Sequence, residues 1–478
     1  MLLATFIAYS TFVLFVGLWG YRKGSFTSYA VADRTMGPVL ATGSFVATFL
    51  SAVTVIGVSG YASRYGWAAA AFTCYGYAMG WILLVAAARR MHRSRLTTVP
   101  EFLRTRYESR GLGTLAASAI IALYSITLIV QLLGVAITLN ILIGLAVPIA
   151  VLVVGTIFVT YTVLGGLISV VRTDLVQAVL LGGGVVAGAV VILWKTGWQV
   201  ITSPPEPLSH FFGGSVQTPS DFIGWALVWG LGIPTQSYYL HRFYASRNAS
   251  VARRQVALGA VVIMVLLLSV IICGVGAGML IPAGQRGDAA LPYLFKNVIG
   301  GWVSIPILLA ITASVHSTTD GLLHVVGLYF AVDVYGPATQ RSDDESLLRI
   351  SRLATLAFGA AVTLIALYIS THPIPLISLM AGIAWGGMAS ALFAPLFFGL
   401  FWPRATRAGA LASMIGGIAF AIVGFSLKRV GLIGFHEIYP GIIASTTLMI
   451  TVSYCTHASS EATVRRFFPS TDTLESLR

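Results

Sequence analysis

Long apolar runs recur along this chain, and they constrain its fold more than any other feature. An α-helix needs roughly 20 apolar residues to cross a bilayer, and the sequence offers about thirteen such runs joined by short polar links. Hydrophobic residues make up 57% of the chain, charged residues 9%, and the mean hydropathy is +0.87. The chain is therefore predicted to be an all-α polytopic membrane protein. The predicted spans are approximately 2–21, 38–61, 67–88, 113–144, 148–164, 168–194, 220–241, 255–282, 300–331, 353–371, 376–401, 408–427 and 438–456.

The basic residues predict how the chain crosses the membrane. There are 29 Lys and Arg against 16 Asp and Glu. If the amino terminus lies outside, most of the basic residues fall in inner links, as the positive-inside rule requires. An odd number of spans then places the carboxyl terminus in the cytoplasm. We expect a multi-pass monomer in the lipid bilayer of the cytoplasmic membrane, and the excess charge needs no nucleic-acid partner. The basic residues left outside are Arg64, Lys195, Arg286, Lys296, Lys428 and Arg429.

Two predicted spans carry features that interrupt a helix. The span 38–61 holds three glycines and six hydroxyl residues without a charge. Such residues also allow close helix packing, so that alternative stays open. In the span 220–241, Gly230, Gly232 and Pro234 predict a break, because proline lacks the N–H that a continuous helix needs. Each break lies in the first helix of a set of five, and the two sets have opposite orientations in the membrane. Transporters use this arrangement to build a binding site at the membrane midplane.

Polar side chains concentrate in the segment 309–323, which is otherwise apolar enough to cross a bilayer. Ionisable groups inside lipid usually mark function. Asp320 lies between His316 and His324 at intervals of four residues, so these three share one helical face. Hydrogen bonds within the helix could satisfy such a stripe. The alternative hypothesis is proton coupling, in which His316→Ala would flatten the pH dependence of uptake more than it weakens sodium binding.

Three signatures together resemble the sodium:solute symporter family over almost the whole chain. They are the segments 96–107, 161–177 with its Gly-Gly and Arg-Thr-Asp, and 313–323. The resemblance implies a leucine-transporter-like fold: inverted five-helix repeats, one extra helix before them and further helices after them. The segment 96–107 is also expected to form a short amphipathic turn at the lipid headgroups. The implied regions are the extra helix and its link 1–37, a first repeat 38–194, an extracellular loop 195–219, a second repeat 220–401, two helices in 402–457 and a cytoplasmic tail 458–478.

The resemblance also implies Na⁺ as the coupling ion and places its ligands. Residues 314, 317 and 318 share one helical face, and neutral oxygens suit a hard monovalent cation that must leave again. Asp174 matches an acidic residue of the ion path or of a second ion. Asp320 and Gly321 replace two serines that complete that second site in some relatives, and Phe49 replaces an acid between the carbonyl donors. The expected sodium ligands are the carbonyls of Ala47, Leu50 and Ser314 and the hydroxyls of Ser317 and Thr318.

The substrate is predicted to be a small organic solute held between the two broken helices. No charged side chain occurs among the candidates, but exposed helix amino termini can hold a carboxylate. The segment 235–243 and the run 433–436 are similar to the proline, acetate and pantothenate branches, which favours a small carboxylate or zwitterion over a sugar. The candidates are Ser51, Val53, Thr54, Phe72, Thr73, Tyr75, Trp229, Gln236, Tyr239 and Trp385.

Other classes of protein fit the sequence less well. Ser317, His316 and Asp320 could suggest an intramembrane hydrolase, but adjacent Ser and His side chains point to different sides of a helix. A sensor would need a signalling domain, which twenty tail residues cannot supply. We therefore expect a sodium-coupled symporter and no enzyme, with a sugar symporter of the same family as the nearest alternative.

Overall fold

The computed structural model describes residues 1–19, 25–206, 208–209, 218–341, 343–372 and 377–468, with the backbone alone at 17–19, Phe72 and 377–381. Helices dominate this part of the chain, and no strand occurs in it. The helices of the first half are α1 (Leu2–Trp19), α2 (Phe26–Val31), α3 (Pro38–Phe49), α4 (Ser59–Tyr65), α5 (Ala68–Arg93), α6 (Val99–Arg106), α7 (Arg110–Ile143), α8 (Val147–Thr196), α9 (Gln199–Thr202) and α10 (Pro219–Gly232). Those of the second half are α11 (Ser237–Ala245), α12 (Ala249–Leu280), α13 (Ala290–Tyr293), α14 (Ser304–Tyr329), α15 (Gly336–Thr339), α16 (Asp344–Thr371), α17 (Ile377–Phe401), α18 (Arg407–Arg429), α19 (Ile438–Cys455) and α20 (Glu461–Phe467).

The membrane-spanning helices agree with eleven of the thirteen predicted runs; the runs at 2–21 and 220–241 correspond to shorter helices. In the described residues, nine helices are long and apolar enough to cross a membrane, and α3 with the segment Val53–Tyr65 forms a further span bent by 51°. One of the nine is α8, which has 50 residues. Its course changes at Gly166, where φ is 59° and ψ is −163°. The two segments on either side of Gly166 correspond to the separate spans predicted at 148–164 and 168–194.

Gly166 is required by both its backbone and its surroundings. A side chain with L chirality is strained in this region of φ and ψ. A Cβ built on Gly166 would also lie 2.5 Å from Cδ2 of Tyr29 on α2. The turn and the close approach of α2 therefore depend on the same absent side chain.

The centre of the bundle is α14, which packs against α7, α8, α16 and α3. Residues 310–329 of this helix are all buried. The extra helix α1 packs on α8 and α14, whereas α18 and α19 pack mainly on each other and on α17. The polar stretch of α14 consequently faces protein on every side, so each of its polar groups must find a partner or a ligand within the bundle.

The connection between α5 and α7, where a turn at the lipid headgroups was expected, packs into the protein. Val99, Phe102, Leu103 and Arg106 of α6 are completely buried. The Arg106 guanidinium donates hydrogen bonds of 3.0 to 3.1 Å to the carbonyls of Gly399, Trp402 and Pro403, at the end of α17. This guanidinium satisfies carbonyls that a helix end leaves without intrahelical partners, and α6 is thereby fixed beneath α17.

Four predicted regions fall partly outside the described residues. Two of them are the extra helix with its link, at 20–24, and the second repeat, at 342 and 373–376. The other two are the extracellular loop and the tail. In the extracellular loop 195–219 these are residues 207 and 210–217, and in the tail they are residues 469–478. The described part of the tail contains α20, whose Phe467 packs against Phe102 of α6 with ring centroids 5.5 Å apart.

Candidate functional site

The first helix break lies in the middle of the bundle, as the glycine and hydroxyl residues predicted. Helix α3 ends at Phe49, and Leu50 leaves helical geometry with φ −86° and ψ 88°. The chain continues as a π-helical turn, Val53–Val58, before α4 begins. The backbone N–H of Ala52 donates to the side-chain oxygen of Gln131 on α7, at 3.0 Å. A side chain from another helix thus supplies the acceptor that the interrupted backbone lacks.

The second break lies between α10 and α11. Ile233–Thr235 form a single 3₁₀ turn, and Gln236 is extended with φ −69° and ψ 106°. The Thr235 hydroxyl donates to the Gly232 carbonyl at 2.7 Å, and the Gln236 amide donates to the same oxygen at 3.3 Å. The Gln236 side chain therefore supports the break itself, in addition to its predicted place in the substrate site.

Oxygen atoms from α3 and α14 meet beside the first break. The Ser317 hydroxyl donates to the carbonyl of Ala47 at 2.8 Å and lies 3.2 Å from the carbonyl of Ser314. The Thr318 hydroxyl lies 3.1 Å from the same Ser314 carbonyl and 3.1 Å from the carbonyl of Thr48. Leu50, the remaining predicted ligand, is the first non-helical residue after α3 and is fully buried. The Thr48 carbonyl was not among the predicted ligands.

The arrangement of these oxygens fits a sodium ion in its chemistry. Every group in it is neutral. The carbonyls that α3 contributes come from its last turn, where a helix has no backbone N–H groups left to bond them. Neutral oxygens suit a monovalent ion that must bind and leave, whereas a divalent ion usually recruits carboxylates. In the described residues no group of three His, Cys, Asp or Glu side chains is arranged to hold a metal.

A buried ion pair lies next to this oxygen cluster, beside α3. Arg242 of α11 and Asp174 of α8 are 1% and 0% exposed, and their charged atoms lie 2.8 Å apart. The Asp174 carboxylate also accepts from the Ser44 hydroxyl at 2.5 Å, and Ser44 accepts from Nε of Arg242 at 2.7 Å. Arg242 also hydrogen-bonds the hydroxyl of Thr48, whose carbonyl accepts from Thr318. One network therefore joins α3, α8 and α11 to the oxygen cluster.

The sequence placed Arg242 in the inner links and in the segment 235–243, but predicted no role for it in the site. Asp174 was singled out as part of the ion path, but its partner lies 68 residues away. Arg172, the nearer arginine in the sequence, is two positions from Asp174 and on a different side of the helix. A basic residue that directly follows an interrupted span is the signal that could have identified Arg242.

The side chains of the stripe of His316, Asp320 and His324 are all fully buried. The His316 ring packs between Tyr9 of α1 and Tyr161 of α8, with centroid distances of 5.7 and 6.4 Å. Neither nitrogen of this ring has a hydrogen-bond partner in the described part of the chain. The His316 ring is thus surrounded by aromatic side chains, with no hydrogen bond to its own helix in the described residues.

The other two members of the stripe, Asp320 and His324, differ in their surroundings. Asp320 lies in the same buried cluster as Asp174 and Tyr161. His324 contacts the rings of Tyr29 and His241, with centroids 5.0 and 5.7 Å away. Their predicted part in a second ion site or in proton coupling stays a prediction.

Aromatic rings line the space between the two breaks. Phe49 stacks on Tyr239 with centroids 5.3 Å apart and meets Tyr77 edge-on at 5.0 Å. Tyr77 in turn contacts Trp229 at 5.6 Å, and Trp229 contacts Trp385 at 5.1 Å. We call these five residues the aromatic cluster. It joins α3, α5, α10, α11 and α17 around the region where substrate was predicted.

Most of the predicted substrate residues are buried in or near this region. The Thr54 hydroxyl lies 3.5 Å from the Tyr77 hydroxyl, which places the first break beside the aromatic cluster. Tyr75 does not join the others, since its side chain is 56% exposed and its ring contacts Phe222. The side chain of Phe72 lies outside the described residues. The buried candidates are Ser51, Thr54, Thr73, Trp229, Gln236, Tyr239 and Trp385, and Val53 is half-buried.

Four residues of this region were missed as substrate candidates: Phe49, Tyr77, Trp81 and Gln131. Tyr77 and Trp81 follow Thr73 at intervals of four residues, so the helical face that Thr73 marked could have identified them. Besides the hydroxyl of Thr73, three buried N–H groups of this region have no partner in the described residues: Nε1 of Trp81, Nε1 of Trp229 and Nε2 of Gln131. Buried donors normally have acceptors, so these three are open to a ligand.

Comparison with known proteins gives concordant results. The profile of the sodium:solute symporter family matches residues 29–417. A high-affinity proline transporter of Bacillus subtilis is 27% identical over 97% of this chain and 100% of its own. The sodium/pantothenate symporter of Escherichia coli is 24% identical over 92% of this chain and 93% of its own. Among solved structures, a Na⁺-coupled sialic acid symporter in a substrate-bound outward-open state matches with a TM-score of 0.78 and 19% identity, over 96% of this chain and 98% of that one.

Proposed function

Because the chain belongs to the sodium:solute symporter family and has its leucine-transporter-like fold, we propose that it imports a small carboxylate or zwitterion together with Na⁺, by alternating access. The observation that carries this proposal is the meeting of the Ser317 and Thr318 hydroxyls with the carbonyls at the end of α3. A proline-like, pantothenate-like or short monocarboxylate substrate fits the site, and one protomer contains every group involved. The proposed orientation keeps the amino terminus outside and the carboxyl terminus in the cytoplasm.

Sodium would replace the hydroxyl hydrogens as the positive partner of these carbonyls. The Ser317 and Thr318 hydroxyls can rotate and present lone pairs to the ion. Their oxygens and the carbonyls of Ala47, Leu50 and Ser314 would then hold α3 and α14 together. Each sodium ion that enters at a membrane potential of about 100 mV contributes about 2.3 kcal/mol, before its concentration gradient is counted.

The unpaired donors favour a substrate that carries a carboxylate. Trp81, Trp229 and Gln131 supply N–H groups, and no acidic side chain belongs to the aromatic cluster. The carboxylate of such a substrate could accept hydrogen bonds from these donors. The rings of Phe49 and Tyr239 would cover the apolar or cationic part of a zwitterion.

The ion pair of Asp174 and Arg242 would close the site on the inner side. Two buried charges are tolerated when they are paired and hydrogen-bonded, as these are by Ser44 and Thr48. Release of substrate and sodium to the cytoplasm requires water to enter this region. Entry of water would separate α11 from α3 and α8. The Thr48 link to Thr318 would let the loss of sodium weaken this closure.

The geometry does not favour hydrolysis. The Ser317 hydroxyl donates to the Ala47 carbonyl, and the His316 ring nitrogens have no hydrogen-bond partner in the described residues. A serine nucleophile needs a base within hydrogen-bond reach.

A substrate screen tests the proposed substrate class. Purified protein is reconstituted in liposomes with an inward sodium gradient, and uptake of labelled proline, pantothenate, short monocarboxylates and a hexose is measured. We expect uptake of a carboxylate or zwitterion that stops when sodium is replaced by choline. Uptake of the hexose alone would assign the sugar alternative instead.

Paired substitutions test the sodium site. Ser317→Ala with Thr318→Ala should raise the sodium concentration for half-maximal uptake by about tenfold or more, because two charge-dipole contacts are lost. The matched control is Thr319→Ala, which also removes a buried hydroxyl of α14. Among the described residues, this hydroxyl bonds only the Val315 carbonyl, at 2.6 Å. Equal sodium dependence in both variants would refute this assignment.

A further inference from the structure

A cavity of about 510 Å³ opens at the inner end of α14, away from the substrate region. Its walls come from α6, the first turn of α7, the segment between α14 and α16, and α16 itself. Three arginines lie on these walls: Arg104, Arg110 and Arg341. Val332, Pro337 and Leu347 form the apolar part of the lining.

The three guanidinium groups differ in how far they are already neutralised. Arg104 lies 3.5 Å from the Asp333 carboxylate and 4.0 Å from that of Glu101. In the described residues, the Arg341 side chain hydrogen-bonds the hydroxyl of Tyr335, at 3.5 Å, and forms no ion pair. No ion pair or hydrogen bond engages the Arg110 side chain in the part of the chain that the structure describes. At least two positive charges therefore face the cavity without a carboxylate partner.

Nearby acidic groups do not cancel this charge inside the cavity. Asp343, Asp344 and Glu345 follow Arg341 in the sequence, but they are exposed and do not line the cavity. Asp343 caps its own helix by accepting from the backbone N–H of Ser346 at 2.9 Å. The Asp333 carboxylate is buried and accepts from the Thr98 hydroxyl at 2.6 Å.

We propose that this cavity binds a phosphate group, and that its source is the headgroup of an anionic membrane lipid. Planar guanidinium groups match phosphate oxygens in shape and charge. Basic pockets between membrane helices at the inner face are where anionic headgroups bind. The apolar residues on the same wall suit the glycerol and first methylenes of a lipid, which inorganic phosphate would leave uncovered.

The cavity is connected to the helix that carries the sodium ligands. Arg104 contacts Asp333, and the Asp333 carbonyl accepts from the Thr114 hydroxyl at 2.9 Å. The Tyr329 hydroxyl, one turn earlier, accepts from the backbone N–H of Val99 at 3.2 Å. A phosphate that draws Arg104 toward the cavity would loosen one of the contacts that tie α14 to α6. This consequence for transport rests on the proposed function, whereas binding itself does not.

Binding is measured on the purified full chain, by thermal unfolding against titrated short-chain phosphatidylglycerol, phosphatidylcholine or inorganic phosphate. Arg110→Gln with Arg341→Gln should weaken phosphatidylglycerol binding by about tenfold or more. The matched control is Arg253→Gln with Arg254→Gln, which removes the same charge from exposed positions of α12. All of these positions are exposed, and size-exclusion profiles check that each variant is folded.

The outcomes separate the possibilities. Stabilisation by phosphatidylglycerol alone, lost only in the cavity variant, supports the proposal. Equal stabilisation by inorganic phosphate overturns the lipid as the source and assigns a free phosphate compound. Equal loss in the control variant, or no effect of either anion, overturns the site. In liposomes, the uptake rate of the cavity variant should no longer depend on phosphatidylglycerol. Its sodium concentration for half-maximal uptake should stay unchanged. Failure of the lipid-site proposal is therefore distinguishable from failure of the sodium-site proposal.

Discussion

Substitution of Arg242 by glutamine should open the inner side of the protein. Glutamine has a similar reach but no charge, so it removes the guanidinium that contacts Ser44, Thr48, Asp174 and the Tyr238 carbonyl. The Asp174 carboxylate keeps the Ser44 hydroxyl at 2.5 Å and the Thr48 hydroxyl at 3.3 Å, but it becomes an unpaired charge that is 0% exposed. The substitution therefore raises the free energy of the state in which the inner side is closed.

The size of the effect follows from the burial of the pair. Removal of one partner of a buried ion pair costs about 3 to 5 kcal/mol. Since about 1.4 kcal/mol is a factor of ten, a cost of about 3 kcal/mol multiplies the ratio of open to closed protein by roughly 150. An opening that hydrates Asp174 relieves this cost, so the change appears as a population shift toward the open state.

Amide hydrogen exchange measures that shift. In sodium-containing buffer, exchange in α11 and in the last turn of α3 should accelerate in Arg242→Gln, and uptake should fall. Addition of Asp174→Asn to the same protein removes the remaining buried charge and should restore slow exchange. The control is Arg247→Gln, which removes an exposed arginine two residues after α11.

The double variant decides whether the ion pair is responsible. If exchange in the double variant is as fast as in Arg242→Gln, or if the two single effects simply add, the charges are not coupled and the pair does not hold the inner side closed.

Two further predictions concern stability and pH. Gly166→Ala should destabilise the protein by more than the roughly 1 to 3 kcal/mol of backbone strain alone, because the new Cβ would clash with Tyr29. The control is Gly144→Ala, where φ is 75° but the space is open, and it should cost only about 1 to 2 kcal/mol. Equal melting temperatures of the two variants would contradict the steric argument. Hydrogen bonds from Ser460 and Thr463 hold the pKa of the Glu108 carboxyl below its usual value. Because the folded-state pKa is lowered, these hydrogen bonds stabilise the packing of α20 fully above the ordinary carboxyl pKa, and this stabilisation is lost as the pH falls through the lowered pKa of Glu108. Amide hydrogen exchange in α20 should therefore accelerate at low pH. Glu108→Gln should abolish this pH dependence of exchange.

The sequence by itself determined the features that depend on neighbours along the chain. Apolar runs fixed the spans, because a helix in lipid must satisfy its own backbone over a set length. Gly230, Gly232 and Pro234 located the second break, since proline removes a hydrogen bond wherever it stands. Helical spacing placed Ser314, Ser317 and Thr318 on one face, and the structure turns that face toward α3.

Tertiary structure alone decided which faces meet. Arg242 and Asp174 pair across 68 positions, and the Gln131 side chain caps the first break from 79 positions away. Tyr75 and Tyr77 are both tyrosines of α5, yet one faces outward and the other contacts Phe49 and Trp229. Helical periodicity assigns side chains to a face but carries no information about the partner of that face. That partner depends on how the helices of two inverted repeats pack, which is why the inner ion pair and the aromatic cluster emerged only from the folded bundle.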